Sequence, residues 1–197
     1  NVEIIYPKNI NHLKNILKTL KKNNFKYIIK TGECSYDNKS VISEENTYVI
    51  SLKNLNKISK IDNKNGYVTL ETGVLIPEVV NALRHKNLTL YSIPGGSHVS
   101  IGGAISANVI GKDSSKKISC FGDSVVSLEV LDSNGRIRSI SKNSKKINKF
   151  IGAFGLSGII LKAKIKTKKI DSVNVKFTTK ILNNLFEVKN ELENKTD

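Results

Sequence analysis

Apolar side chains recur along the chain at two spacings, one typical of helices and one typical of strands. Over residues 12–22 they return every three or four positions, which predicts an amphipathic helix capped by Asn9 or Asn11. Pro77 suits the first turn of a second helix, expected to end near His85. Further helices are predicted over residues 145–150 and after Thr178 or Thr179.

Short runs rich in Val, Ile and Tyr predict strands between these helices. Polar turns with a Gly at 62–66 and 132–135 indicate antiparallel hairpins. Helices mixed with such hairpins predict an α+β fold, with a domain boundary between residues 168 and 172. The predicted strands cover residues 2–6, 27–29, 48–50, 58–61, 67–70, 124–131, 136–140, 158–167 and 172–177.

The chain is basic, but the type of basic residue matters for its interpretation. Lys and Arg total 32 against 17 Asp and Glu, a net charge of +15, yet only three of the 32 are Arg, and Asn occurs 23 times. Nucleic-acid binders rely on Arg for bidentate contacts. We therefore interpret the charge mainly as compositional background. A basic module that binds nucleic acid or another anionic surface stays open as an alternative.

The composition also bears on membrane insertion, metal binding and the cellular compartment of the protein. No apolar run approaches 18 residues, so no transmembrane segment is predicted, and the first residues show no signal-peptide pattern. Cys34 and Cys120 form no metal-binding spacing and are expected to be free thiols in a reducing compartment. We expect no metal site and a cytoplasmic protein, with peripheral association at the inner membrane as the alternative.

Three glycine-containing segments, at residues 30–36, 94–104 and 155–160, are the main candidates for chemistry. Glycine lets a ligand approach the backbone, and successive backbone N–H groups in such turns bind phosphates. None of the segments is a Walker A loop or a Rossmann GxGxxG. Each segment taken singly is also compatible with an ordinary tight turn, but three of them separated by strands are not expected to be turns alone.

These segments, in this order, resemble the FAD-binding domain of the vanillyl-alcohol oxidase/p-cresol methylhydroxylase (PCMH) superfamily of FAD-linked oxidases. The likeness is greatest to its decaprenylphosphoryl-ribose oxidase and alditol oxidase-like branch, and it covers roughly residues 4–170. The supporting motifs are Ile93 to Ile105, Gly111-Lys112, Phe121 to Val125, Leu128 to Gly135 and Gly155 to Ile160.

The resemblance implies a two-subdomain fold with mixed sheets flanked by helices. It also implies a first loop around the FAD diphosphate, a second loop along flavin and diphosphate, Gly111-Lys112 near the flavin ring and a last motif at the adenine. The implied FAD-binding residues are Lys30, Thr31, Gly32, Glu33, Cys34, Ser35, Tyr36, Pro94, Gly95, Ser97, Ser100, Ile101, Gly102, Gly103, Ser106, Ala107, Gly111, Lys112, Gly158, Ile159 and Ile160.

The first loop departs from the family pattern. Thr31 and Glu33 stand where the family usually has Gly, and a carboxylate beside a diphosphate is repulsive. Either the loop is shifted by one residue, so that Gly32 occupies the position of the usual Gly, or FAD binding is weakened. The loop lacks the His that relatives use for covalent attachment, so non-covalent FAD is expected. A degenerate domain that has lost FAD is a further alternative.

By resemblance, the protein is an oxidoreductase that transfers hydride from a CH–OH group of a sugar or polyol-like substrate to FAD. Residues 1–170 would form the FAD-binding domain and residues 171–197 the start of a substrate domain that this chain does not complete. The catalytic residues and the electron acceptor are therefore unassigned. A flavoprotein like UDP-N-acetylenolpyruvoylglucosamine reductase is an alternative with the same fold.

Overall fold

The computed structural model describes residues 3–35, 47–96, 98–111, 118–174 and 176–194. The strands within these ranges are β1 (Ile4–Ile5), β2 (Lys26–Lys30), β3 (Thr47–Ser51), β4 (Ile58–Asp62), β5 (Tyr67–Glu71), β6 (Leu88–Leu90), β7 (Val125–Leu131), β8 (Ile137–Ser141) and β9 (Ile159–Lys169). The helices are α1 (Ile10–Lys22), α2 (Ile76–Arg84), α3 (Ile101–Ser106) and α4 (Leu185–Glu193), and 3₁₀ turns cover Phe121–Ser124 and Lys145–Lys149.

A small parallel sheet is built from the N-terminal part of the chain. Its strand order is β1-β3-β2, with both outer strands parallel to β3. Helix α1 connects β1 to β2 and starts where the Asn9 side chain accepts a hydrogen bond from the His12 N–H at 2.9 Å. Leu13 and Leu20 turn inward from α1, so the helix packs against this sheet.

A larger antiparallel sheet forms the second unit. Its order is β4-β5-β9-β7-β8, and β6 also pairs with the end of β9. The eleven-residue strand β9 pairs with three others, so it is the central element of the unit. Helices α2 and α3 contribute Val79, Leu83, Ile101 and Ile105 to the apolar core on one side of the sheet.

The two sheets do not have fully separate cores. The smaller core contains Leu13, Leu20 and Ile50 from the N-terminal unit together with Leu131, Ile159 and Leu161 from β7 and β9. Burial of these side chains excludes apolar surface from water and fixes one unit against the other. The contact leaves the ends of β2, β7 and β9 beside one another.

The predicted α+β class is confirmed, with one parallel and one antiparallel sheet. The strand predicted over residues 172–177 is wrong: residues 172–174 and 176–177 form no strand, and the Val173 and Phe177 side chains are exposed. A β-rich run needs a partner strand for its backbone N–H and C=O groups, and among the described residues no strand pairs with it. The last helix begins later than expected, with Asn184 rather than a Thr as its N-cap.

Candidate functional site

A long groove of about 2270 Å³ runs between the two units. Its walls come from α1, β2 and the loop after β2, from the segment around α3, and from the loops next to β7 and β9. Small-molecule sites usually have volumes of roughly 300–1,000 Å³, so this groove has room for a long ligand and more.

The first loop leaves the carboxyl end of β2 and packs directly on the second. Gly32 donates its N–H to Ser100 Oγ at 3.0 Å. A Cβ atom at Gly32 would lie 2.4 Å from the His98 carbonyl oxygen and 2.8 Å from the Ser100 nitrogen. Both are backbone atoms with little freedom to move, so this contact requires glycine.

Ser100 links the two loops through its buried side chain. Its hydroxyl donates to Thr31 Oγ1 at 2.5 Å and accepts from the N–H groups of Gly32 and Gly103. The last of these bonds makes Ser100 the N-cap of α3. One hydroxyl therefore sets the position of the first loop relative to the helix that lines the groove.

Helix α3 is held against the large sheet by close backbone contact. Gly102 donates its N–H to the Thr72 carbonyl oxygen at 2.8 Å, and a Cβ there would lie 1.9 Å from Thr72 Oγ1. Ile101 is fully buried in the larger core. The side of α3 with Gly103, Ser106 and Ala107 is left to face the groove.

Glu33 has a backbone conformation that normally favours glycine. Its φ is +56°, in the left-handed region, and its side chain is exposed. The sequence comparison with the family pattern had expected Gly at this position. The structure shows that Gly32 makes the close contact while Glu33 takes the left-handed turn, so the carboxylate stays at the edge of the groove.

The third loop, residues 152–158, lies on the other side of the groove. Gly152, Gly155 and Gly158 all have positive φ, and so does Phe154 at +50°. A bulky residue in that conformation is strained, and the Phe154 side chain is 74% exposed. Leu156 is exposed as well. Leu156 belongs to the predicted segment 155–160, whereas Phe154 was not predicted, although the glycines around it indicate a turn that exposes it.

The turn at residues 132–135 lines the same side and carries one carboxylate. Asp132 accepts hydrogen bonds from Arg138 Nε at 2.6 Å and from the backbone N–H groups of Arg136 and Asn134. The Arg138 side chain and these N–H groups hold the pKa of Asp132 below its usual range. Its negative charge is therefore already compensated and opposes an anionic ligand weakly.

The groove brings together sixteen of the eighteen implied FAD-binding residues that the structure describes. Ile101 points into the core instead, and Gly111 packs against Ser92 and Ile93 away from the groove. Tyr36, Ser97 and Lys112 lie outside the described residues. Groove-lining residues beyond the implied FAD-binding set include Lys14, Lys18, Lys21, Thr72, Val99, Ile110, Phe154 and Leu156.

Other candidate features of the described ranges are few. Cys34 and Cys120 are free thiols. No three His, Cys, Asp or Glu side chains in these ranges come together as metal ligands, and no helix among them has the length and apolar character to cross a membrane. Asp123 accepts the Cys120 N–H at 2.9 Å, which with bonds from Ser119 lowers the pKa of Asp123.

Known proteins similar to this chain share its fold and parts of its sequence. Decaprenylphosphoryl-β-D-ribose oxidase of Mycolicibacterium smegmatis is 34% identical over 121 residues, which cover 60% of this chain and 26% of that enzyme. Glycolate oxidase subunit GlcD of Bacillus subtilis is 28% identical over 171 residues, covering 83% of this chain and 36% of the relative. The chain thus spans about a quarter to a third of these relatives.

A solved structure of alkyldihydroxyacetonephosphate synthase matches the fold with a TM-score of 0.75 at 20% identity. The match covers 84% of this chain and 34% of that one. A family model described as FAD binding domain matches residues 3–141, well over half of the chain. The chain belongs to this family, the FAD-binding (PCMH-type) domains of FAD-linked oxidases.

Proposed function

We propose that the protein binds FAD in this groove without a covalent bond and oxidises a CH–OH group of a sugar or polyol-like substrate. The observation that carries the proposal is the convergence of three separate glycine segments on one groove. By its name, one relative oxidises a ribose derivative, which supports a sugar-like substrate. Another is named for glycolate, a 2-hydroxy acid, and supports only the oxidation of a CH–OH group.

The residues of the groove fit a dinucleotide cofactor. At Gly32 the first loop has only backbone, which packs closely on His98 and Ser100. Backbone N–H groups and the Lys30 ammonium at the end of β2 suit a diphosphate. The loops around Ser100 and Gly158 would hold the remaining parts of FAD. Bound FAD supplies a two-electron acceptor for the substrate hydride.

The role of this chain in the reaction is to bind and orient. Ser100 fixes the first loop against α3, and α3 is fixed against the large sheet through Gly102 and Thr72. A cofactor held by such a rigid junction would keep its reactive ring in one position relative to the substrate.

Residues 171–197 are proposed to start a substrate domain, to which the catalytic base is assigned. Helix α4 has no buried residue, and the Leu185, Phe186 and Leu192 side chains are 86%, 71% and 67% exposed. Apolar surface of this kind is usually covered by another part of the protein. The greater length of the relatives supports the same interpretation.

Flavin reconstitution of the full-length protein tests the proposal. We expect the purified protein to bind FAD, to show flavin absorbance, and to release all flavin into the supernatant after acid precipitation. Sugars, polyols and 2-hydroxy acids are then added separately under anaerobic conditions. By this proposal, a sugar or a polyol should bleach the flavin and the 2-hydroxy acids should not. A protein that stays colourless after incubation with excess FAD would contradict it.

A domain that kept the fold and lost FAD is the second candidate. Glu33 favours it, because its exposed carboxylate lies beside the loop proposed to hold a diphosphate. The same reconstitution decides between the two. If only the Glu33→Gly variant binds FAD, the second candidate describes the wild-type protein.

A further inference from the structure

The N-terminal unit has an unusual distribution of charge. Between Ile4 and Gly32 the sequence contains seven lysines and no acidic residue. The lysines lie on α1, on β2 and in the segment before α1. Like charges crowded on one small unit repel one another, so an anionic partner would relieve the repulsion.

Three of these lysines lie on one flank of α1 and line the groove. Lys14, Lys18 and Lys21 follow the i, i+4, i+7 spacing that places side chains on the same side of a helix. Leu17 lies between them and the buried face of α1, and it lines the groove too. Among the described residues, no carboxylate comes within ion-pair distance of these three ammonium groups.

The turn at residues 132–135 lines the same groove and carries Asp132, whose carboxylate is bound by Arg138 Nε at 2.6 Å. Leu131 and Ile159 share the smaller core with α1. Among the residues that the structure describes, the three lysines line the groove with no ion-pair partner.

The three lysines are separate from the junction proposed to hold the FAD diphosphate. That junction is formed by Gly32 and Ser100, beyond the carboxyl end of β2, whereas the three lysines lie along α1. Lys14, Lys18 and Lys21 nevertheless line the same continuous groove as that junction.

We propose that Lys14, Lys18 and Lys21 form a second anionic site, for a small molecule with at least two phosphate charges. Lysine binds phosphate as a point charge and tolerates varied geometry, which suits a diphosphate or triphosphate group. The concave position favours a small phosphorylated ligand over an extended nucleic acid. The site goes beyond the proposed FAD site and does not depend on it.

Calorimetric titration of the FAD-loaded, full-length protein with inorganic pyrophosphate tests the site. Bound FAD occupies the proposed diphosphate junction, so pyrophosphate reports on the remaining anionic site. We expect the triple variant Lys14→Gln, Lys18→Gln, Lys21→Gln to bind pyrophosphate about tenfold more weakly while retaining FAD. The matched control is Lys145→Gln, Lys146→Gln, Lys149→Gln, which removes the same charge from exposed positions outside the groove.

Three results would overturn the proposal. The first is that the wild-type protein does not bind pyrophosphate. The second is that both triple variants lose the same affinity, and the third is that the protein clearly prefers a single-stranded oligonucleotide to pyrophosphate. If the wild-type protein takes up no FAD, the proposed function fails, and the titration is done on the FAD-free protein. The lysine site is then supported only if the Lys14, Lys18 and Lys21 triple variant loses affinity for pyrophosphate and the control triple variant does not.

Discussion

The two sides of the groove use glycine for different reasons. On the near wall, residues 30–35 and 98–107, a side chain at Gly32 would collide with backbone atoms of the facing loop. On the far wall, residues 131–135 and 152–160, Gly155 has φ +83° and nothing within 4 Å of its missing Cβ. Glycine on the near wall permits a close approach, and glycine at Gly155 permits a turn. A Cβ at Gly158, also on the far wall, would lie 2.9 Å from the Leu131 carbonyl oxygen, so the contrast is between Gly32 and Gly155. Gly32 should tolerate substitution far less well than Gly155.

The pair Gly32→Ala and Gly155→Ala tests this difference most directly. Gly32→Ala must push the two loops apart, and we expect it to lower the free energy of unfolding by about 3 kcal/mol and to abolish FAD binding. Gly155→Ala only places Ala in the left-handed region, at a cost of about 1 kcal/mol. Urea denaturation and FAD titration of both variants measure the effects. Equal losses would remove the distinction between the two glycines.

Ser100→Ala tests whether the near wall depends on one hydroxyl. The variant leaves the Gly32 and Gly103 N–H groups without their common acceptor, and we expect a loss of about 2 kcal/mol in unfolding free energy together with weaker FAD binding. Ser139→Ala on the exposed strand β8 is the matched control. A Ser100→Ala protein as stable as the control would show that packing alone holds the loops together.

Glu33→Gly makes the near wall more like the family pattern. Gly relieves the left-handed conformation at φ +56° but gains freedom in the unfolded chain, so we expect a net stabilisation of about 0.5 kcal/mol. Removing the carboxylate should also raise FAD affinity. Glu33→Gln separates the two effects, since it removes the charge and keeps the backbone strain. Unchanged affinity in both variants would exclude electrostatic opposition by Glu33.

Asp132 on the far wall should give the smallest effect, and one that depends on pH. Arg138 and backbone N–H groups lower the folded-state pKa of Asp132. Its contribution to the free energy of unfolding is therefore complete above the unfolded-state pKa of about 3.9, and it is lost as the pH falls through the folded-state pKa. We expect the Asp132→Ala variant to be slightly less stable than the wild-type protein at pH 7, and as stable as the wild-type protein at a pH below the folded-state pKa of Asp132. Thermal melts across that pH range measure this, and a pH-independent difference would contradict it.

Local patterns predicted most of the fold. The spacing of Leu13, Ile16 and Leu20 is sufficient for α1, and the turn at 132–135 is sufficient for the β7–β8 hairpin. Strand β6 was missed because three residues carry no usable period, and its pairing with β9 joins positions some 80 residues apart. The run at 172–177 has the composition of a strand, but no strand among the described residues pairs with residues 172–174 or 176–177.

The site was predicted through motifs, and motifs do not state which way a residue faces. Ile101 and Gly111 belong to segments that match the family motifs, yet Ile101 fills the core and Gly111 packs against Ser92. The lysine flank of α1 was not predicted, because its role depends on which side of the helix meets the groove. That relation follows from the tertiary packing of α1 on β7 and β9.

The shared smaller core has a consequence for the order in which the protein folds. Helix α1 and β3 are synthesised early, but they complete their core only with Leu161, more than a hundred residues later. Contacts so distant in sequence form slowly, and a ribosome-bound chain cannot make them until β9 has emerged. The groove should therefore form only after β9 has been translated, and any cofactor must enter after that step.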